Sequence, residues 1–147
     1  MNTIQIEKIL YESRITRRYF IGCFAADKIP KEIQKFPCSM VVNLDRAKND
    51  GSHWIAIYIR NQTTVYIFDS LLIPILPVPI KTFLSQFPKQ IKNKFPIQNP
   101  LSKECGQHCI VFLYFISLGY TYEKYLLILN NCPNPDEFVK SFVNKLI

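Results

Sequence analysis

Residues 105–119, CGQHCIVFLYFISLG, carry the pattern on which the fold turns. No helix breaker stands between Gly106 and Gly119, and the stretch is apolar on nearly every side. A helix patterned this way has no face to give to water, so it is expected as the buried central helix of the protein. Its beginning is equally informative. Ser102 lies three residues ahead of Cys105 and Glu104 is adjacent, so N-cap and first-turn chemistry sits where the helix should start. Cys105 is therefore expected at a helix N-terminus, where the backbone supplies a positive field.

Upstream of that helix, WIAIYI (54–59) and TVYIFD (64–69) are β-branched and aromatic and are separated only by RNQT, the pattern of two neighbouring strands joined by a tight turn. SMVVNL (39–44) is a further strand, and the polar DRAKNDGS (45–52), with its Asp-Gly signal, a loop. IQIEKILYE (4–12) sets Ile6, Ile9 and Leu10 at helical spacing. RYFIGCFAADKIPKEI (18–33) is mixed in character and supports no single assignment. Prolines 74, 77 and 79 argue against regular structure across LIPILPVPI (72–80), after which IKTFLSQF (80–87) can form a short helix. KQIKNKFPIQNP (89–100) should hold one more short strand ending near Gln98. TYEKYLLILN (121–130) and NPDEFVKSFVNKL (134–146) are two closing helices, the second capped by Asn134 with Pro135 at its first position. Strands first and helices after, around a buried helix, predict an α+β fold. At 147 residues one domain, 1–147, is expected.

The formal charge of +7 fits an anionic partner such as nucleic acid, and fits a merely basic enzyme surface equally well. The longest apolar run, CIVFLYFISL (109–118), falls far short of the roughly 20 residues a membrane span needs, and MNTIQIEKILYESR has neither an apolar signal core nor a small-residue cleavage site. A chain with no membrane contact that is not secreted is the expectation. Five cysteines at irregular spacing, Cys23, Cys38, Cys105, Cys109 and Cys132, fit reduced thiols better than a disulfide framework.

A thiol nucleophile needs a base or positive field to hold it as thiolate, a group to orient that base, and donors for the oxyanion. Cys105 at its helix start has the first in part. His53 at the beginning of one strand and Asp69 at the end of the next supply base and orienting carboxylate, because a tight turn returns the far ends of two antiparallel strands to the same sheet edge. Gln98, seven residues before Cys105, is the side-chain amide chosen to join a backbone N–H in the oxyanion hole. Cys109 falls on the apolar face and is expected in the core. Two rivals are weaker. Cys105, His108 and Cys109 could with His53 make four metal ligands, but no second C-x-x-C pair exists, so no metal is expected. His108 as base would crowd the scissile carbonyl from the same helical turn, which places it instead on the helix surface or the substrate side.

G-x-H-W (51–54), then Y-x-F-D-S (66–70), then Q-x-P-x-S-x-x-C-G-x-x-C (98–109) opening an apolar helix resembles the adenovirus maturation protease family and its relatives in adenovirus-like DNA transposons and large DNA viruses. FIGCFAADKIP (20–30) and PCSMVVNLDRAKNDGSHW (37–54) extend the likeness over roughly residues 15–120. The resemblance implies a papain-like fold, a central mixed sheet flanked by helices, shared with proteases that release ubiquitin-like modifiers. It implies Cys105 as nucleophile, His53 as base and then acid, Asp69 as orienting carboxylate where the adenoviral enzyme has glutamate, and Gln98 with the Cys105 N–H as oxyanion hole. Trp54 would wall the site, with Gly51 and Ser52 near the substrate strand. The implied activity is a cysteine endopeptidase that cuts viral or transposon precursor proteins next to glycine during particle maturation, as a monomer in the virion and the host cell interior. In that family DNA and a disulfide-linked peptide stimulate activity. The charge leaves DNA activation open, but no cysteine lies between Cys38 and Cys105, which argues against the linked peptide, and no cofactor is required by the sequence. The competing expectations are a protease for ubiquitin-like modifiers and a catalytically dead module that binds DNA or capsid.

Overall fold

A computed structural model describes residues 1–46 and 53–147. In chain order it contains α1 (Thr3–Glu12), β1 (Phe20–Phe24), β2 (Cys38–Asn43), β3 (Trp54–Ile59), β4 (Thr64–Phe68), α2 (Val78–Leu84), β5 (Lys89–Lys92), α3 (Cys105–Ser117), α4 (Tyr122–Asn130) and α5 (Pro135–Leu146). The five strands form one sheet in the order β1-β2-β3-β4-β5. The two edge pairings are parallel, and the two inner pairings, β2 with β3 and β3 with β4, are antiparallel. The sheet is therefore mixed, and the protein is α+β as its order of elements predicts.

Both faces of the inner strands are covered, which is why they run almost continuously apolar. Ile55, Ile57 and Ile59 of β3 pack with Met40 and Val42 of β2 against Ile80, Phe83 and Leu84 of α2. Ala56, Tyr58 and Phe68 face the other way, onto α3 with α1, α4 and α5 around it. None of the 13 residues of α3 is fully exposed, and Ile110, Val111, Phe112 and Leu113 are completely buried. Each such side chain contributes about 1.5–3 kcal/mol on leaving water. Phe68 and Phe112 stack with ring centroids 4.8 Å apart, fixing β4 over the middle of α3. Gly106 allows α1 to close on the first turn of α3, since a Cβ there would come within 3.2 Å of Met1. Gly119, at φ 104°, ends the same helix in a conformation few other residues adopt.

Several local expectations are corrected. The mixed stretch 18–33 contains edge strand β1, paired in parallel with β2. Its periodicity is broken by Gly22 at φ 137° and by a register irregularity between Phe20 and Cys23, which masks the strand in sequence. Helix α2 begins inside the proline-rich segment: Pro77 is the N-cap and Pro79 lies in the first turn, where a missing N–H costs nothing. β5 stops at Lys92 instead of running to Gln98, because Asn93 replaces the backbone ladder with its side chain. Asn93 Oδ1 accepts the Asp69 N–H at 3.0 Å and its Nδ2 donates to the Asp69 carbonyl at 2.8 Å. Glu104, not Ser102, is the N-cap of α3, and no side chain caps that helix. Asn134 caps α5 as expected, accepting the Glu137 N–H at 3.2 Å. The polar loop assigned to 45–52 lies, beyond residue 46, outside the described residues.

Candidate active site

The antiparallel pairing of β3 with β4 sets the start of one strand beside the end of the other. His53, immediately before β3, is anchored through its carbonyl, which accepts the Leu44 N–H at 3.0 Å. Asp69 follows β4 directly. Their side chains meet with His53 Nε2 2.6 Å from Asp69 Oδ1, both nearly excluded from water.

The chain wraps the Asp69 carboxylate. Oδ1 also accepts the N–H groups of Leu71 and Leu72, each at 3.1 Å, and Oδ2 accepts that of Ile73 at 2.8 Å. Leu72 takes φ 52° to complete this turn, a conformation that costs a non-glycine residue about 1–2 kcal/mol. Burial opposes the charge on Asp69, but His53, the Ile73 N–H and Lys92 outweigh it and keep the carboxyl below its usual pKa. A carboxylate held this way by backbone donors is fixed in direction as well as in charge.

Cys105 is the first residue of α3 and is partly accessible. Burial would raise its pKa, yet the His53 imidazole and the backbone N–H groups of Trp54 and Gly106 hold it below the ordinary thiol value. Burial likewise pulls His53 down, and hydrogen bonding and charge from Asp69 and Cys105 prevail, raising it to about 9. Both shifts favour the thiolate–imidazolium form of the pair, the reactive form of a sulfur nucleophile. Nδ1 of His53 is buried and spends no hydrogen bond elsewhere, leaving that nitrogen for the sulfur side of the ring. Cys109, one helical turn further on, is 1% exposed and burial drives its pKa far upward, which makes it inert and part of the core as expected.

Gln98 is 4% exposed and held at both ends of its amide. Oε1 accepts from Ser70 Oγ at 2.6 Å, and Nε2 donates to the Ser102 carbonyl at 3.0 Å. An amide NH₂ has two hydrogens, so one donor remains. The Cys105 N–H, first in its helix, has no intrahelical acceptor. A developing oxyanion could draw on both.

The structure thus brings His53, Asp69 and Cys105 together and locks Gln98 in a defined orientation. Trp54 is half-buried and borders a cavity of about 350 Å³ whose lining includes Met1, Cys23, Asn43 and Arg46. Gly51 and Ser52, expected near the substrate strand, lie outside the described residues. His108 is a correction: it is completely buried, not on the helix surface, because its Nε2 reaches Asp136 Oδ1 at 2.7 Å. Among the described residues no group of three or more His, Cys, Asp or Glu side chains could hold a metal, and no helix is long and apolar enough to cross a membrane.

Four residues around the site were not singled out from the sequence. Ser70, the last letter of the F-D-S motif, orients Gln98; its place beside Asp69 was the available signal. Asn93 fixes the Asp69 backbone from just beyond the end of β5, and Tyr122 supports it by donating to the Ile67 carbonyl at 2.6 Å; neither has a sequence signature. Asn43, 4% exposed, accepts the Asp45 N–H at 2.8 Å while its Nδ2 is buried unpaired at the lining of the Trp54 cavity.

No protein-family model and no curated protein sequence matches the chain. Solved structures do. The ASFV pS273R protease aligns with a TM-score of 0.58 at 18% identity, covering 100% of this chain and 67% of its own. The central domain of the uncharacterized Lpg1148 protein from Legionella pneumophila gives 0.55 at 14% identity, over 100% of this chain and 98% of its own. ChlaDub1 from Chlamydia trachomatis aligns over 75% of this chain and 59% of its own at 19% identity, with a TM-score of 0.49. At such identities the likeness is one of architecture: the chain has a mixed-sheet α+β fold similar to that of a structure named as a protease, and carries a cysteine at the start of its own buried helix.

Proposed function

We propose that the protein is a cysteine endopeptidase of the adenovirus maturation protease type, cutting viral or transposon precursor proteins next to glycine during particle assembly. The observation that carries this reading is the sulfur of Cys105 at the start of α3, held below the ordinary thiol pKa by an imidazole whose far nitrogen is 2.6 Å from a buried carboxylate. The fold shared with a protein named as a protease supports it.

In the proposed cycle the Cys105 thiolate attacks the carbonyl that follows glycine, forming the C–S bond as the carbonyl electron pair moves to oxygen. Gln98 Nε2 and the Cys105 N–H receive that charge. Collapse breaks the C–N bond, and His53 gives its proton to the leaving amine. Water then attacks the thioester, His53 takes the water's proton, and the thiolate leaves as the acid product forms. Trp54, with Gly51 and Ser52, flanks the substrate strand in this reading. The active species is a monomer working inside the virion or the infected cell, with no metal or organic cofactor. The +7 charge supports DNA as activator or guide through phosphate contacts that weaken as salt rises.

The test is cleavage of a glycine-containing peptide library by the wild type and by Cys105→Ala, with and without DNA. Cleavage next to glycine by the wild type alone is expected. Cleavage of a ubiquitin-like fusion in preference to any virion-type peptide would move the assignment to a modifier protease. Failure of a thiol-reactive peptide probe to label Cys105 would leave the dead binding module.

A further inference from the structure

The proposed chemistry uses one histidine–carboxylate pair and leaves a second unexplained. His108 is fully buried one turn beyond Cys105, and its Nε2 is 2.7 Å from Asp136 Oδ1, in the first turn of α5. The other oxygen of the same carboxylate, Oδ2, accepts the N–H of Asn99 at 3.0 Å. Asn99 directly follows Gln98. One carboxylate therefore ties the helix that presents the Cys105 N–H to the segment that presents the Gln98 amide.

That tie matters because the two oxyanion donors come from different elements. Residues 93–104 contain neither helix nor strand, so no ladder sets their position. They are fixed by individual bonds. On one flank Ser70 receives the Ile97 and Gln98 N–H groups at 2.8 and 2.9 Å and donates to the Gln98 side chain. On the other flank stands Asp136. Asn99 also organises the turn beyond it, with its Oδ1 accepting the Leu101 N–H and its carbonyl the Ser102 N–H, both at 2.9 Å. The Ser102 carbonyl is the group that orients Gln98 Nε2. A pair serving only to clamp α5 onto α3 would not need the second oxygen to reach this loop.

We propose that His108 and Asp136 are positioning residues for the oxyanion hole, holding the Gln98 segment in register with the first turn of α3. The inference rests on the cysteine-peptidase reading. Misplacing a donor by about 1 Å can cost on the order of 10²-fold in rate, so a partial loosening of one of two donors should cost about tenfold.

The experiment compares wild type with Asp136→Asn, His108→Phe and His108→Gln. Three readouts are taken: kcat and KM on a glycine-containing peptide, affinity for the matching peptide aldehyde, and the rate of Cys105 alkylation by iodoacetamide. The aldehyde adduct places an oxygen where the oxyanion forms, whereas alkylation displaces iodide and builds none. Asp136→Asn and His108→Phe are expected to lower kcat about tenfold and weaken aldehyde binding in parallel, with KM and alkylation within about twofold of wild type. His108→Gln, which can restore a donor to Asp136, should recover most of the loss. If turnover and alkylation fall together, or if neither changes, the pair is structural only and the proposal is overturned. A wild type that alkylates at Cys105 but turns over no peptide would overturn the peptidase reading itself, and this inference with it.

Discussion

The protein's two histidines each face an aspartate at almost the same distance, 2.6 Å for His53 with Asp69 and 2.7 Å for His108 with Asp136, yet they end in opposite electrostatic states. Burial disfavours the cation in both. At His53 hydrogen bonding and charge from Asp69 and Cys105 prevail and raise the pKa to about 9. At His108 desolvation prevails over Asp136, helped by the positive charge of His53, and the pKa falls below the usual imidazole value. The first ring interacts with a sulfur as well as a carboxylate; the second has the Asp136 carboxylate on Nε2 and the positive charge of His53 nearby. A histidine–carboxylate contact by itself therefore does not set the charge of the ring; its other neighbours decide.

The largest separation of the two regions comes from removing the groups themselves. Cys105→Ala should abolish peptide cleavage, a loss of at least about 10⁴-fold, with the circular dichroism of the folded protein unchanged. His53→Ala should cost on a comparable scale, whereas His108→Gln should stay within a few-fold; a loss at His108 as large as that at His53 would erase the distinction. Asp69→Asn should slow kcat by about 10²–10⁴-fold, since it weakens both the charge and the orientation of the imidazole.

pH then sharpens the comparison. Turnover should rise as Cys105 loses its proton, below the ordinary thiol range, and fall as His53 loses its proton through about pH 9. Asp69→Asn should move that falling limb to lower pH. Stability should respond in opposite senses. The folded-state pKa of His53 is raised, so its contribution is full below about pH 6.5 and is lost as pH rises through about 9. That of His108 is lowered, so its contribution is lost as pH falls below about 6.5. Urea midpoints measured across pH for wild type and His108→Gln would show the acid-side dependence diminished in the variant. The smallest effect is expected at Cys109→Ser, within about twofold in kcat, because its inert thiol takes no part in the chemistry.

Much of this was legible from residue types and order. The strands at 54–59 and 64–68, the helix opening at Cys105 and the Asn134–Pro135 start of α5 all follow from local rules, periodicity and caps, that act over a few residues. The convergence of His53 and Asp69 needed only one tight turn between neighbouring strands. Less local features escaped. β1 was hidden by its irregular pairing, and α2 by prolines that a first helical turn accepts. Asn93 behaves as a surrogate strand residue, which its neighbours in sequence do not announce.

The sequence by itself determined most of the elements, the polarity of the sheet's inner hairpin and the chemical identity of the residues that meet at the start of α3, because each depends on short-range pattern. Tertiary structure alone decided how those groups are charged and aimed. The pKa of His53, the burial of His108 and the bonds from Ser70 and Asp136 that fix the Gln98 segment all arise between residues far apart in the chain. They depend on desolvation and on partners supplied by other elements, and no local pattern encodes either one.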